Sequence, residues 1–320
     1  MGATGQAMVR SPDNSADGAP VSTGAAAPHG VAVIDKPATW TSHDVVAKCR
    51  GVFGTRKVGH SGTLDPAATG VLVLGVGKAT RLLRFLTDLP KTYVGEIVLG
   101  VETSTLDADG EISATHDMSA VTDDQVRAAA LSFIGPIMQV PPMVSAVKVG
   151  GKRLYELARE GKEIERRPRA VEVHRYDLEP VAGESGVWRC EVECSSGTYI
   201  RSLAADLGTA LGGGAHLRSL RRVAVGEFTI DEATSVDSPV LRPLSDAVGH
   251  LHACVVSDEV AVRVSYGQVL ERNVLMVADH DEGPWAVVNP AGELLAVYGP
   301  SRGLAKPMVV ISDTVAPRTR

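Results

Sequence analysis

The chain has 320 residues, of which 44% are hydrophobic and 22% are charged, and its formal net charge at pH 7 is −6. This composition is typical of a soluble globular protein and allows one large domain with a smaller one beside it. It excludes a membrane-spanning helix, since no run of about 18 apolar residues occurs. The first 29 residues also lack the apolar segment of a secretory signal.

The first third of the chain predicts a tail followed by alternating strands and helices. Residues 1–29 are rich in Ala, Gly, Ser and Pro and are predicted to be disordered. A buried strand is predicted for GVAVIDKP, and the helix after it begins with Thr41 or Ser42 as its cap. The stretch from His60 to Gly70 predicts a loop, and VLVLGVG predicts a buried strand. TRLLRFLTDL predicts a helix, and KTYVGEIVLGVET predicts a strand that begins near Tyr93.

The remainder predicts further helices and strands and then a small β module. TDDQVRAAALSFIG predicts a helix that Thr122 caps and Gly135 ends, and RLYELAREGK predicts a shorter one. AVEVHRYDLEPV and WRCEVEC predict two strands, and RSLAADLG predicts the next helix. The acidic, proline-containing residues 231–246 predict a domain boundary. Beyond Asp258, VAVRVSYG, WAVVNP, LLAVYG and PMVVIS predict short strands.

Metal, nucleotide and disulfide patterns are weak. The four cysteines are Cys49, Cys190, Cys194 and Cys254. Cys190 and Cys194 alternate with polar residues and are predicted to be buried thiols, because a zinc site needs four ligands at recognisable spacing. GVGKAT lacks the pattern of a phosphate-binding loop, since Leu72 and Ala79 occupy two of its required positions. We therefore expect no metal, no cofactor and a reducing, cytoplasmic location.

Charge is unevenly distributed along the chain. Residues 94–125 contain eight acidic residues and no Lys or Arg, whereas 148–175 contain nine basic residues. A further block holds Arg201, Arg218, Arg221 and Arg222 against Asp206 alone. Two interpretations remain open: a basic face for a polyanion such as RNA, or ordinary solvated helix faces.

The loop HSGTLDPAATG carries a single carboxylate, Asp65, among small residues. An Asp-Pro pair between glycines often forms a turn. Alternatively, the small side chains leave room for a large planar substrate to approach an ionised carboxylate, which is a competent nucleophile. If the carboxylate is buried beneath a base, it needs a cation to remain charged, and Arg suits that role best.

Several motifs in this sequence resemble those of the TruB-type tRNA pseudouridine synthases. HSGTLDPAATG resembles the catalytic loop of that family, and GVAVIDKPATWTSHDVV resembles its opening motif. KTYVGEIVLGVETSTLDADG, PPMVSAVKVGGKRLYELAREG, SSGTYIRSLAADLG and GAHLRSLRR are similar to later family segments. The motifs follow the family order over roughly residues 30–230, about two-thirds of the chain.

The resemblance implies an α+β fold, in which a central mixed, largely antiparallel sheet is flanked by helices. It implies a catalytic domain at 30–248, with RNA-binding helices or an insert at about 120–175. A small C-terminal PUA-like RNA-binding β module would occupy 249–320. The implied reaction is the isomerisation of a flipped-out uridine, uridine 55 of the tRNA T loop, to pseudouridine.

The resemblance also implies roles for individual residues. Asp65 would be the nucleophile and Arg201 its ion-pair partner, and Tyr199 would handle the C5 proton. Tyr93 would stack on the uracil and Leu220 would form a wall of its pocket. Two further residues would act outside the pocket: His60 would insert into the RNA, and Lys36 would support the structure.

Three questions stay open from the sequence. Asp65 could attack ribose C1′, add to C6 of the base or deprotonate C2′ on a glycal route. A non-catalytic RNA-binding or tRNA-folding chaperone would share the basic residues and the stacking tyrosine, but it would not require Asp65 and Arg201. A base-excising glycosylase would release free uracil. We expect a monomer whose partner is the tRNA T-arm, with no membrane contact.

Overall fold

The computed structural model describes residues 27–143, 148–149, 152–153 and 164–312. The predicted disordered tail lies outside the described residues except for 27–29, as does the predicted helix RLYELAREGK except for Arg153. Within the described part of the chain, no helix is long and apolar enough to cross a membrane.

The described residues contain five α-helices, eighteen strands and four 3-10 segments. The helices are α1 (Ser42–Val52), α2 (Leu83–Thr87), α3 (Asp123–Leu131), α4 (Ile200–Ala210) and α5 (Asp258–Ser265). The first nine strands are β1 (Gly30–Lys36), β2 (Val58–His60), β3 (Thr69–Val76), β4 (Lys91–Leu99), β5 (Val101–Thr103), β6 (Ile112–Thr115), β7 (Gly135–Gln139), β8 (Lys148–Val149) and β9 (Lys152–Arg153). The others are β10 (Arg169–Pro180), β11 (Val187–Cys194), β12 (Ala215–Val225), β13 (Phe228–Thr229), β14 (His252–Val255), β15 (Leu270–Glu271), β16 (Trp285–Val288), β17 (Leu294–Ser301) and β18 (Leu304–Val310). The 3-10 segments are Gly77–Arg81, Ile230–Glu232, Leu244–Val248 and Arg272–Leu275.

One large sheet organises the described residues between Gly30 and Thr229. Its strand order is β1-β3-β12-β4-β11-β10-β7, with β2 paired to β3 and β13 paired to β12. Every pairing is antiparallel except that of β3 with β12, which aligns Gly70 with Arg222. The mixed, largely antiparallel sheet of an α+β protein is therefore confirmed. This parallel pairing places the loop before β3, which carries Asp65, beside the middle of β12.

The strand β3 is buried on both faces, as its continuous apolar sequence predicted. Leu72 and Leu74 pack with Ile34 of β1 and with the apolar face of α1. Val71 and Val73 on the other face pack with α2 and with residues of the C-terminal strands. By contrast, β4 alternates buried and partly exposed residues along its whole length, and its buried positions include Tyr93.

Two helices begin where the sequence predicted. Thr41 caps α1 and Thr122 caps α3, each in a capping box with the residue three positions on, Asp44 and Gln125 respectively. Their ends were predicted less well. α3 stops at Leu131, and Gly135 instead begins β7. TRLLRFLTDL is only partly α-helical, because a 3-10 turn ending at Arg81 precedes the short helix α2.

The C-terminal strands form a second sheet of order β14-β16-β17-β18-β15. The prediction of a strand for VAVRVSYG was wrong, since these residues lie mainly in α5. The alternating valines are consistent with either period. Ser257 accepts a hydrogen bond from the Val260 backbone N–H and caps a helix, which buries Val264 and leaves Val262 exposed. Local capping and one-sided packing therefore outweighed the β propensity of valine.

Two glycines with nearly the same positive φ angle allow backbone strain to be distinguished from close packing. Gly70 has φ +100° and Gly135 has φ +101°. A Cβ at Gly70 would lie 2.2 Å from the Arg222 carbonyl oxygen, whereas a Cβ at Gly135 would meet open space. Gly70 is thus required by the approach of β3 to β12 as well as by its φ angle.

We expect Gly70→Ala to lower the free energy of unfolding by at least about 2 kcal/mol more than Gly135→Ala. Both variants carry a backbone strain of roughly 1–3 kcal/mol, but only the first forces β3 away from β12. Urea unfolding of the two variants measures the difference. Equal losses would show that close packing at Gly70 is unimportant.

Candidate active site

The loop that carries Asp65 is held from below by buried polar side chains. Arg222 on β12 is 2% exposed and donates to the carbonyls of Gly62 (3.1 Å), Thr63 (3.4 Å) and Val71 (2.7 Å). These bonds fix the start of the loop against the parallel strand pair. Because Gly, Ser, Thr and Ala offer little side-chain surface to pack, main-chain bonds of this kind determine the loop conformation.

The first motif holds the other part of the loop. Ser42, in the first turn of α1, accepts from the Leu64 N–H at 2.9 Å and donates to the Leu64 carbonyl at 3.2 Å. Lys36, at the end of β1, is fully buried and donates to the carbonyls of Pro37 (2.9 Å), Trp40 (2.6 Å) and Pro66 (3.1 Å). Burial lowers the pKa of Lys36 to about 8, and the nearby Asp65 opposes this shift.

Asp65 is paired with the residue that the family resemblance implied. Nη2 of Arg201 lies 2.8 Å from Oδ2 of Asp65, and the Arg201 side chain is 5% exposed whereas that of Asp65 is 47% exposed. Arg201 lies in the first turn of α4, which packs against the sheet. The carboxylate is therefore open to a ligand on one side, while a buried cation orients it from the other.

A second carboxylate completes this ion pair. Nη1 of Arg201 lies 3.3 Å from Oδ2 of Asp107 and donates to the Thr105 carbonyl at 3.1 Å. The other Asp107 oxygen accepts from the Thr105 hydroxyl and from the Asp109 N–H. Sequence reasoning missed Asp107, which it counted only among the acidic residues of 94–125. The available signal was its position in STLDADG, a motif segment that follows the strand carrying Tyr93.

A cavity of about 400 Å³ opens beside Asp65. Tyr93 reaches it from β4, Tyr199 from the turn before α4, and Leu220 from β12. The structure thus brings together five of the seven residues singled out from the sequence: Asp65, Tyr93, Tyr199, Arg201 and Leu220. Burial raises the pKa of Tyr93, and the nearby Arg222 partly opposes that shift, so the Tyr93 hydroxyl stays protonated at neutral pH.

The two remaining residues lie outside the cavity lining. Lys36 lies under the loop, as described above. His60 ends β2 and is partly buried, with its ring edge-on to that of His43 at a centroid distance of 5.5 Å. Burial lowers the pKa of His60, so its ring is neutral at neutral pH. Its proposed insertion into RNA stays a prediction.

Two buried cations on the cavity wall were not anticipated as part of the site. They are Lys91 and Arg222. Lys91 donates to the carbonyls of Thr87 and Leu89, and burial lowers its pKa to about 8. Both cations already bond main-chain carbonyls, so they shape the cavity and add positive potential to it. Among the described residues, no group of three or more His, Cys, Asp or Glu could hold a metal ion.

Fold and cavity together define an enzyme site in which an oriented carboxylate faces a pocket sized for a planar ring. Comparisons with known proteins identify the family. The family model described as "TruB family pseudouridylate synthase (N terminal domain)" matches residues 50–200. A second one, described as "tRNA pseudouridylate synthase B C-terminal domain", matches residues 201–250. The chain belongs to the TruB family of pseudouridylate synthases.

Curated relatives match nearly the whole chain. The tRNA pseudouridine synthase B of Arthrobacter sp. (strain FB24) is 43% identical over 297 residues, which is 89% of this chain and 97% of that protein. The protein of the same name from Rhodococcus jostii (strain RHA1) is 45% identical over 278 residues, covering 84% of this chain and 89% of its own.

Solved structures show the same fold. A chain from "Crystal Structure of a Cbf5-Nop10-Gar1 Complex" aligns with TM-score 0.68 and 27% identity, covering 89% of this chain and 85% of that one. A chain from "Structure of H/ACA RNP bound to a substrate RNA containing 2'-deoxyuridine" aligns with TM-score 0.68 over 89% of this chain and 86% of that one. Its identity is 24%, so that likeness concerns the fold alone.

The buried Lys36 predicts a pH dependence of stability. Its folded-state pKa is about 8, lowered from 10.5. Between these values the unfolded chain binds the extra proton, so Lys36 makes stability rise with pH, whereas below about pH 8 it is charged in both states and adds no slope. The free energy of unfolding of the wild type relative to Lys36→Met should therefore increase by up to about 1.4 kcal/mol per pH unit in this window. Urea unfolding between about pH 7 and 10 measures it, and a flat difference would contradict the lowered pKa.

Proposed function

We propose that this chain isomerises a uridine of tRNA to pseudouridine and that Asp65 is the nucleophile. The observation that carries the assignment is the 2.8 Å contact between the half-exposed Asp65 carboxylate and the buried Arg201, at a cavity lined by Tyr93 and Tyr199. The enzyme is an isomerase: the C1′–N1 bond breaks, the uracil rotates, a C1′–C5 bond forms, C5 loses its proton and N1 gains one. No group donor and no redox change is required.

The geometry suits a base that has left its stack. A cavity of about 400 Å³ falls within the size range of pockets for small ligands, roughly 300–1,000 Å³. Flipping a base out of folded RNA costs a few kcal/mol. Stacking on an aromatic ring such as that of Tyr93 is worth about 1–3 kcal/mol and offsets much of this cost. Leu220 closes the pocket with an apolar side chain.

Each candidate route begins from the same charged oxygen. Asp65 can attack ribose C1′, add to C6 of the uracil or remove a proton from C2′, and all three require an ionised carboxylate that points into the cavity. Arg201 stabilises that charge and restricts its orientation. Tyr199 borders the same cavity, and we assign it to the transfer of the C5 proton. This preorganisation lowers the reorganisation needed in the transition state.

The proposed substrate is tRNA, and the proposed position is uridine 55 of the T loop. The curated relatives carry the name tRNA pseudouridine synthase B, which supports tRNA as the partner. We further propose that the C-terminal sheet, in 249–320, is a PUA-like RNA-binding module beside a catalytic domain at 30–248. The RNA-binding insert proposed at about 120–175 lies partly outside the described residues. We also propose that the protein is a monomer and that it acts in the cytoplasm.

The arginines at 218–222, which the sequence offered as part of a basic face for RNA, are engaged within the protein. Arg218 pairs with Glu96 and Glu184, and Arg221 makes two bonds to Asp35 at 3.0 and 2.8 Å. Arg222 bonds carbonyls, as described above. Phosphate contacts therefore fall more naturally to other basic residues, such as Arg167 and Arg169, which are exposed.

A tRNA labelled with tritium at uridine C5 tests the proposed function. The wild-type protein should release tritium and no free uracil, whereas Asp65→Asn should bind the tRNA and release none. Asp35→Asn is a matched control, because it also breaks an Asp–Arg ion pair at the edge of the same sheet but lies outside the cavity lining. Measurable turnover by Asp65→Asn would refute the assignment of the nucleophile.

Two other outcomes of the same assay identify the rival functions. Free uracil in the supernatant would indicate a base-excising glycosylase. Tight binding with no tritium release by the wild type would indicate an RNA chaperone that does not catalyse the isomerisation.

A substitution of Asp107 tests whether its support of Arg201 matters for the reaction. Asp107→Asn removes one of the two carboxylates that pair with Arg201 among the described residues, and the guanidinium is then held less firmly toward Asp65. We expect the single-turnover rate of tritium release to fall roughly 10- to 100-fold, while the dissociation constant for tRNA stays within about threefold, because Asp107 does not line the cavity. Weaker binding with an unchanged rate would show that Asp107 acts in RNA recognition instead.

A further inference from the structure

A buried glutamine holds the main chain of a cavity residue. Gln139, the last residue of β7, is 2% exposed. Its Oε1 accepts from the Tyr199 backbone N–H at 2.7 Å, and its Nε2 donates to the Tyr199 carbonyl at 3.0 Å. The side-chain amide therefore pairs with Tyr199 as the peptide of a neighbouring strand would. Because the two bonds have opposite polarity, the side chain must present an acceptor and a donor side by side, as a primary amide does.

Tyr199 occupies a position that needs such support. It has extended backbone angles, φ −100° and ψ 107°, directly before α4, and its side chain makes no capping hydrogen bond to the helix. Its carbonyl also accepts from the Leu203 N–H at 3.1 Å, so the Gln139 bond is added to the first bond of the helix. A rotation of the peptides beside Tyr199 would move its ring within the cavity, where it faces the pocket that also contains Asp65.

We propose that Gln139 is a positioning residue for the isomerisation, which sets the ring of Tyr199 by holding both polar groups of the Tyr199 main chain. This inference rests on the proposed function. Gln139 does not line the cavity, so its effect on the reaction passes through Tyr199. It links the edge strand of the sheet to the start of the helix that carries Arg201.

A second hydrogen bond between the β7 segment and α4 provides a matched control. Ser202 of α4 donates its hydroxyl to the Val140 carbonyl at 3.1 Å, one residue beyond Gln139 along the chain. This bond joins the same two segments but does not touch the Tyr199 main chain. Ser202→Ala therefore removes packing support between strand and helix and leaves the support of Tyr199 in place.

Gln139→Met tests the inference with little change of side-chain volume. The methionine side chain cannot donate to the Tyr199 carbonyl and is at most a weak acceptor for the Tyr199 N–H. We expect the single-turnover rate of C5 tritium release to fall roughly 10- to 100-fold, with the dissociation constant for tRNA within about threefold of the wild type. Ser202→Ala should retain the wild-type rate within about threefold. An equal loss in both variants would overturn the inference, because general packing of α4 would then explain it.

A double-mutant cycle with Tyr199→Phe separates positioning from general destabilisation. If Gln139 acts through Tyr199, the added loss from Gln139→Met should shrink to within about threefold in the Tyr199→Phe background. Additive losses would overturn the inference. Thermal unfolding of each variant reports folding, and Gln139→Leu, which also loses both bonds, replaces Gln139→Met if the latter does not fold.

The two proposals fail in different ways. A folded Gln139 variant with the wild-type rate, in an assay where the wild type is active, contradicts the positioning role alone. A wild-type protein that releases no tritium from tRNA contradicts the isomerase function itself.

Discussion

The site depends on one buried guanidinium shared by two carboxylates. Arg201 lies between Asp65 and Asp107, and the side chain of Arg201 is almost fully removed from solvent. A buried cation is costly unless it is paired and hydrogen-bonded, and a single partner removed from such a pair leaves an uncompensated charge. The arrangement therefore connects three distant parts of the chain: the loop before β3, the turn after β5 and the first turn of α4. It also leaves one carboxylate, that of Asp65, with an open side.

Other buried cations perform a related task for the main chain. Lys36, Lys91 and Arg222 each donate to two or three backbone carbonyls around the cavity. A loop made of small residues gains little from side-chain packing, so its shape is stabilised by donors placed beneath it. The small residues then leave the space above Asp65 free for a planar ligand. Gln139 extends the same principle to Tyr199, another residue of the cavity lining, whose main chain is held by an amide rather than a cation.

The C-terminal sheet packs against the large sheet that carries the cavity. Val71 and Val73 of β3 belong to the same apolar cluster as Ala286, Val297 and other residues of the C-terminal strands. Domains that share a core in this way move little relative to each other, unlike domains joined by a small polar contact. A folded RNA that touches both parts would therefore meet a surface of defined shape, which suits recognition of RNA by shape.

The sequence by itself determined the local elements whose signals are short-range. The sequence correctly predicted the caps at Thr41 and Thr122, the alternation of β4 and the buried run of β3. Each of these features depends on neighbours within a few residues. VAVRVSYG was misread as a strand, because the spacing of its valines does not distinguish the two periods and Ser257 tips the balance toward a helix. Asp65 stood out as a lone carboxylate, but its pairing with Arg201 came from the family resemblance and not from any local spacing.

Only the tertiary structure decided which distant groups meet. The parallel step between β3 and β12 sets Arg222 under the Asp65 loop, and sheet order brings Tyr93, Tyr199 and Leu220 to one cavity. The sequence analysis did not identify Asp107 or Gln139 as residues that support the site. The partners of Gln139 are main-chain groups, which every residue carries, and Asp107 was one of eight acidic residues in its segment. Apart from the motif segment that contains Asp107, neither contact has a signature in residue type or spacing, because strand pairing and chain path place the partner atoms within hydrogen-bonding distance.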